Sequence, residues 1–392
     1  MSYMRTGLCL ALLMATLAWA APRVPRDDRE VLERLPVRPS DPLAAELRTL
    51  RAAVAASPAD PAPAVQLARR YFDLAMAQGD PRYVGYADAA LRPWYAVAGN
   101  NAHILTARGL LRQYRHDFDG ALEDLEAAAR ADPRDAEPHA WRAAIYMVRA
   151  DYPAARRECA ALADRSSALH ATGCTAYVDA TTGNARAAYQ TLAAALARSP
   201  DATPGLRLWV LTRLAEIAWR LQDAPAAERH FRDALRLDVT DNFLLAAYTD
   251  FLLEQNRAAE VTTLLKDWTR SDTLLLRLAL AEHALKLPAA EPHIRALGER
   301  FSESAQRGER LHLQEESRYL LELKGDARAA LAAAVENWKA QREPRDAGIL
   351  LKSALAGRDP RAAQPALEWL DASGFESPAL RRIAGELKAA GR

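Results

Sequence analysis

Residues 118–128 read FDGALEDLEAA, and the same apolar spacing returns as YPAARRECAAL at 152–162 and ARAAYQTLAAA at 185–195. In the first segment the shared slots hold Phe118, Ala121, Leu125 and Ala128. Positions three and four apart lie on one face of an α-helix, so each segment predicts one amphipathic helix. The segments recur at about 34 residues, the period of a two-helix hairpin that is used again and again.

A hairpin of two short amphipathic helices cannot bury its apolar face alone and must stack on a neighbour. The chain is rich in alanine, the best helix former, and contains only 17 glycines in 392 residues. These features predict an all-α solenoid. A solenoid of this kind presents a long open surface that suits binding to partners better than catalysis.

The overall charge argues against one class of partner. Lysine and arginine total 52 and aspartate and glutamate 51, a formal net charge of +1. A neutral balance gives no broad attraction to phosphate backbones. Nucleic acid is therefore not an expected partner.

The first twenty residues resemble a secretory signal peptide. Arg5 precedes an apolar run over 8–18, and the small-residue pattern Ala18-Trp19-Ala20 stands before Ala21. An uncleaved membrane anchor is the alternative, although the apolar run is short for a spanning helix. We expect cleavage after Ala20, an extended proline-rich leader over 21–40, and a periplasmic mature chain with no membrane span.

Residues 102–274 resemble tetratricopeptide repeats (TPR). The first unit carries Leu105, Gly109, Phe118 and Ala121, and the second carries Ala143, Tyr146, Tyr152 and Ala155. The resemblance implies a right-handed α-solenoid of antiparallel helical hairpins. It also implies an organisation of irregular N-terminal hairpins at 41–101, five TPR-like repeats at 102–274, and degenerate hairpins with a C-terminal capping helix at 275–392.

Two cysteines, Cys159 and Cys174, remain after signal-peptide removal. We place them on the second helix of one hairpin and the first helix of the next, two helices that should touch. An exported chain makes a disulfide between them feasible. Two buried thiols are the equal alternative, because sequence spacing does not fix the distance between the α-carbons.

No pattern in the sequence assembles a reaction centre. The eight histidines lack the i, i+4 spacing of a zinc motif, and no glycine-rich phosphate loop or nucleophile elbow is present. Acidic pairs such as Asp117 and Asp119 flank a turn between helices, where capping accounts for them. We therefore predict a non-catalytic protein without cofactor or metal.

In the TPR family the concave wall is built from the first helix of each hairpin. The resemblance carries that wall onto thirteen residues: His103, Gln113, Tyr114, Met147, His170, Tyr177, Trp209, Thr212, Glu216, Trp219, Arg220, Asn242 and Thr249. Aromatic residues in such a wall can hold an extended peptide or a partner helix. The alternative is that they fill the inside of a tight superhelix.

The leading functional hypothesis is a scaffold or adaptor of the cell envelope that binds another envelope protein or peptide through its concave face. The alternative is a structural spacer or subunit of an envelope secretion or polysaccharide-export assembly.

Overall fold

The structure is a computed structural model that describes residues 41–309 and 311–390. The predicted signal peptide at 1–20 and leader at 21–40 lie outside the described residues. The chain divides into two compact units, Met1–Thr49 and Leu50–Arg392. Within the first unit, the structure describes residues 41–49, and most of these residues form the beginning of the first helix. The second unit holds all the other helices.

The described residues form α-helices joined by short turns, with a 3₁₀ segment at Arg92–Val97. In chain order the helices are α1 (Pro42–Ala56), α2 (Ala62–Gln78), α3 (Arg82–Leu91), α4 (Ala102–Tyr114), α5 (Phe118–Ala131), α6 (Glu137–Val148), α7 (Tyr152–Ala161), α8 (Ala168–Thr181), α9 (Ala185–Ala197), α10 (Pro204–Arg220), α11 (Ala224–Leu235), α12 (Asn242–Glu254), α13 (Ala258–Leu265), α14 (Asp272–Ala284), α15 (Ala290–Gln306), α16 (Leu313–Glu322), α17 (Ala327–Ala340), α18 (Pro344–Ala356), α19 (Gln364–Ser373) and α20 (Pro378–Ala390).

The turn inside a hairpin has a recurring conformation. His116 and Ala150 follow the first helix of their hairpins with positive φ of 61° and 59°. The next residue caps the second helix, as when the Asp151 carboxylate accepts a hydrogen bond from the Ala154 N–H at 3.0 Å. The Asp151 N–H itself donates back to the Tyr146 carbonyl at 2.8 Å. One short segment thus ends one helix and starts the next.

The hairpins stack so that first helices contact first helices. Each even-numbered helix from α2 to α20 touches the next even-numbered helix, and these form the inner layer. The repeated apolar slots lie between the layers, and Ala121, Leu125 and Ala128 are fully buried. The all-α solenoid of helical hairpins predicted from these slots is confirmed.

Within the second unit, the superhelix turns tightly enough for distant hairpins to meet. Helix α2 contacts α12. At the end of α2, Gly79 has a φ of +64°, and a Cβ added there would lie 2.5 Å from Ser271 Oγ and 2.6 Å from Asn242 Oδ1. The position needs glycine both for its backbone conformation and for this close approach.

The C-terminal hairpins also contact helices far back in the sequence. The Arg342 N–H donates to the Val148 carbonyl at 2.7 Å. The indole N–H of Trp369 donates to the Tyr152 hydroxyl at 2.7 Å. These bonds join the C-terminal hairpins to α6 and α7, so the solenoid closes on itself around its inner helices.

Candidate functional site

The inner helices enclose a cavity of about 650 Å³. Side chains from α8, α10, α12, α14, α16, α18 and α20 line it, so seven successive inner helices contribute to one wall. One part of the lining is apolar and includes Trp219, Phe243, Leu253, Ile349 and Phe375. The rest is strongly charged.

One charged cluster joins three inner helices. Asp250 of α12 accepts hydrogen bonds from Arg277 of α14 at 2.6 Å and from Arg318 of α16 at 2.5 Å. Burial alone would raise the pKa of Asp250, but the two guanidinium groups outweigh it and hold that pKa below its usual value. Arg318 also pairs with Glu322 at 3.1 Å. This network fixes the relative positions of the three helices on the cavity side.

A second charged cluster surrounds Arg213 of α10. Its guanidinium lies between the rings of Tyr177 and Phe243, 4.6 and 4.4 Å from their centroids. It pairs with Glu216 one turn along at 2.9 Å. Two aromatic faces and one carboxylate offset the cost of burying this cation.

The same cluster continues onto α18. The Tyr177 hydroxyl donates to Glu343 at 3.5 Å, and Glu343 pairs with Arg345 at 2.7 Å. Burial raises the pKa of Tyr177, which keeps the phenol protonated as a donor.

Arg220, the last residue of α10, has no such carboxylate. One Nη2–H donates to the Ala180 carbonyl at 2.8 Å, and the guanidinium stacks on the Phe375 ring at 4.3 Å. Its Nε atom is buried with no hydrogen-bond acceptor. Burial lowers the pKa of Arg220, because the charged form is poorly compensated in this place.

The structure brings together four residues of the predicted concave wall. Tyr177, Glu216, Trp219 and Arg220 all line the cavity. Trp209 lies elsewhere on α10, where it packs edge-to-face on His170 at 6.2 Å. The ring covers Gly173, whose added Cβ would lie 2.4 Å from Trp209 Cζ3.

Three other predicted wall residues are buried and do not form an open wall. Met147 packs into the core between α6, α7 and α8. The hydroxyls of Thr212 and Thr249 donate to carbonyls one turn back in their own helices, at 2.8 and 2.7 Å. Tight winding of the superhelix buries these positions, which a more open superhelix would expose on its concave face.

The remaining predicted wall residues lie outside the cavity lining. Asn242 accepts a hydrogen bond from Ser271 at 2.7 Å, beside Gly79. Burial raises the pKa of Tyr114 to about 12, and Gln113 Oε1 is buried without a donor. His103 is exposed at the start of α4.

Sequence reasoning missed most of the charged lining. Arg213 shares a helix face with Glu216 and Arg220, at spacings of three and seven residues, and this spacing is a usable signal. No comparable signal marks Arg345 or Phe375, because they come from hairpins far along the chain.

Cys159 and Cys174 are joined by a disulfide, with their α-carbons 5.4 Å apart. The bond links α7, the second helix of one hairpin, to α8, the first helix of the next. This is the pairing of helices expected from the sequence.

Two features are absent from the residues that the structure describes. No group of three or more His, Cys, Asp or Glu side chains is arranged to hold a metal ion. None of the helices in the described part of the chain combines the length and apolar character needed to cross a membrane.

Comparison with known proteins finds a similar solved structure but no matching sequence family. No protein-family model matches the chain, and no curated protein matches it. Among solved structures, the crystal structure of the P58(IPK) TPR domain is similar to this chain, with 16% sequence identity and a TM-score of 0.23. The match covers 89% of this chain and 93% of that domain. At this TM-score the fold assignment rests on the contacts between the chain's own helices.

Proposed function

We propose that this chain is a non-catalytic scaffold of the bacterial cell envelope that binds a segment of a partner protein against its inner helices. The observation that carries the proposal is the cavity of about 650 Å³, with its aromatic wall beside several arginines. The apolar side chains of the lining can bury part of a partner segment, and the charged side chains can fix its orientation. Tryptophan, tyrosine and arginine are also the residues that contribute most at protein interfaces.

Two features support a periplasmic location. The residues before Ala21 have the charge, apolar run and small-residue pattern of a signal peptide. The Cys159–Cys174 disulfide is of the kind that persists in oxidising compartments. Both are independent of the cavity.

Site-specific photo-crosslinking in intact cells tests the scaffold proposal. A photoreactive residue at Gln314, which lines the cavity, is expected to capture a partner. The same residue at Arg229, exposed on the outer helix α11, is the control and is expected to capture much less.

Two tryptophans on one helix offer a matched pair of variants. Trp219→Ala removes part of the cavity wall and should lower crosslinking from position 314 severalfold. Trp209→Ala changes the same helix outside the cavity lining and should leave that yield unchanged. Thermal melting verifies that both variants fold. Equal capture from positions 314 and 229 would remove the cavity from the proposal.

A second candidate role is that of a structural spacer or subunit of an envelope secretion or polysaccharide-export assembly. The hydrogen bonds that close the superhelix, such as Trp369 to Tyr152, favour a rigid body suited to this role. It predicts that the outer helices carry the contacts. In that case Arg229 would capture the partner and the chain would elute as part of a stable assembly in size-exclusion chromatography.

A further inference from the structure

We infer that Arg220 is an anion-binding residue, and that its partner is the side-chain carboxylate of an acidic residue inside an extended segment of the bound protein. The inference deepens the scaffold function proposed above and rests on it.

Arg220 uses few of its donors within the chain. It donates to the Ala180 carbonyl, while its buried Nε–H meets no acceptor. Glu216 and Glu376 lie near enough to favour the charged form, yet among the described residues no carboxylate forms an ion pair with Arg220. Glu216 pairs with Arg213, and Glu376 accepts from the Ala185 N–H.

The other cavity arginines each pair with a carboxylate, although the Nε of Arg213 is likewise buried without an acceptor. Arg213 pairs with Glu216, Arg345 with Glu343, and both Arg277 and Arg318 with Asp250. Burying a charge is costly unless an opposite charge and hydrogen bonds compensate it. The missing compensation at Arg220 is what an anionic group of a ligand would supply.

The position of Arg220 indicates that it contacts a residue inside the bound peptide and not the end of the peptide chain. The side chain lines the inner cavity and also a neighbouring pocket of about 340 Å³ beside Gly374 and Pro378. A peptide can therefore continue on either side of the guanidinium. Phe375 packs on the flat face of that group, which leaves the planar edge to donate.

Isothermal titration calorimetry on the mature chain with three six-residue peptides tests whether Arg220 binds an acidic side chain of a peptide. The first is N-acetylated and C-amidated, with one Glu among Ala and Leu. The second is its Gln twin, and the third has no acidic side chain but carries a free C-terminal carboxylate. We expect the Glu peptide to bind about tenfold more tightly than either of the others, the gain of one charge-assisted hydrogen bond.

The variants assign that gain to one residue. Arg220→Met should remove the preference for Glu, and Arg229→Met, the surface control, should keep it. Arg220→Lys keeps the charge without the planar fork and should lose the preference severalfold. Equal affinity of the unaltered chain for the Glu and Gln peptides overturns the inference. A Glu preference that Arg220→Met retains, or that Arg220→Lys does not diminish, also overturns it. Tightest binding of the third peptide overturns the internal-residue assignment.

Stability separates a binding role from a structural one. If Arg220 serves binding, then Arg220→Met removes an uncompensated buried charge, and the melting temperature should stay the same or rise. If the residue serves mainly to hold Ala180 and Phe375, the melting temperature falls. A fall in the melting temperature together with an intact Glu preference in Arg220→Met overturns the inference, and the Arg220→Lys titration decides if Arg220→Met does not fold.

The inference and the proposed function fail in different ways. Undiminished crosslinking from Gln314 in the Arg220→Met chain would remove the anion site and leave the scaffold function. If the unaltered chain captures nothing from Gln314 but shows a Glu preference that Arg220→Met removes, the scaffold function is overturned and the anion site remains.

Discussion

Glu376 accepts a hydrogen bond from the backbone N–H of Ala185 at 2.5 Å, so the loop between α19 and α20 caps helix α9. Helix α9 needs this bond because Asn184, at its N-cap position, makes no side-chain cap of its own. The two partners are separated by most of the C-terminal half of the chain. The bond therefore couples the stability of α9 to closure of the superhelix.

Removing this cap should destabilise the protein. Glu376→Ala should lower the free energy of unfolding by about 1 kcal/mol, the usual effect of losing an N-cap. Urea denaturation measures the change, with exposed Glu386 of α20 changed to Ala as the control. Asn184→Asp, which offers α9 a local cap, should recover part of the loss, and a Glu376→Ala chain as stable as the parent would show that the contact is unimportant.

Reduction of the Cys159–Cys174 disulfide should also lower stability. The bond closes a loop of 15 residues, for which chain entropy predicts about 3 kcal/mol. Urea denaturation with and without a reducing agent measures the difference. The Cys159→Ser, Cys174→Ser double variant should match the reduced chain and ignore the reducing agent, and equal stability of the oxidised and reduced chains would contradict the estimate.

Asp346 should make stability depend on pH. The carboxyl is buried at the start of α18, where it accepts from Asn337 and from the Glu343 N–H, each at 2.9 Å. Burial, with the nearby Glu343 charge, raises the pKa of Asp346 from 3.8 to about 7. Between these two values the folded chain holds a proton that the unfolded chain has lost, so the free energy of unfolding falls as pH rises through this window.

Comparison with Asp346→Asn isolates that contribution, because the other titrating groups are common to both chains. Relative to the parent, Asp346→Asn should be more stable at pH 8 than at pH 5, as measured by urea denaturation. Parallel pH profiles for the two chains would show that the Asp346 carboxyl titrates normally.

Glycine substitutions should have opposite effects at a left-handed turn residue and at a residue inside a helix. Lys286 has a φ of +55° and is exposed, and a non-glycine residue in this conformation costs roughly 1–2 kcal/mol. Lys286→Gly relieves that cost at a smaller entropic penalty and should stabilise the fold by about 0.5 kcal/mol. Ala144→Gly, at an exposed helical position of α6, should destabilise it by about 1 kcal/mol. A destabilised Lys286→Gly chain would show that the lysine is not strained.

The local structure was predictable because it follows from short-range periodicity. The slots of Ala121 and Leu125 identified the buried helix faces, and Asp117 was recognised as a capping residue from its position in a turn between helices. The two cysteines were placed on adjoining helices for the same reason. Each of these features depends on residues within one or two hairpins.

The cavity was only partly predictable, because it depends on how small rotations between hairpins add up. Carrying the wall positions over from an open superhelix placed Thr212 and Thr249 on the surface, while the tighter winding buries them. Phe375 lies in an ordinary loop, and nothing local shows that it will meet Arg220. Contacts of this range leave no period in a single sequence.

Closure at Gly79 has a consequence for how this protein can evolve. An open solenoid can gain or lose a hairpin, because each one touches only its neighbours. Here Gly79 must meet Asn242, and Gly183 must meet Gly374, across several intervening hairpins. Duplicating or deleting one of those hairpins would pull at least one of the two junctions out of register. Descendants of this chain should therefore keep their hairpin number and diverge by substitution.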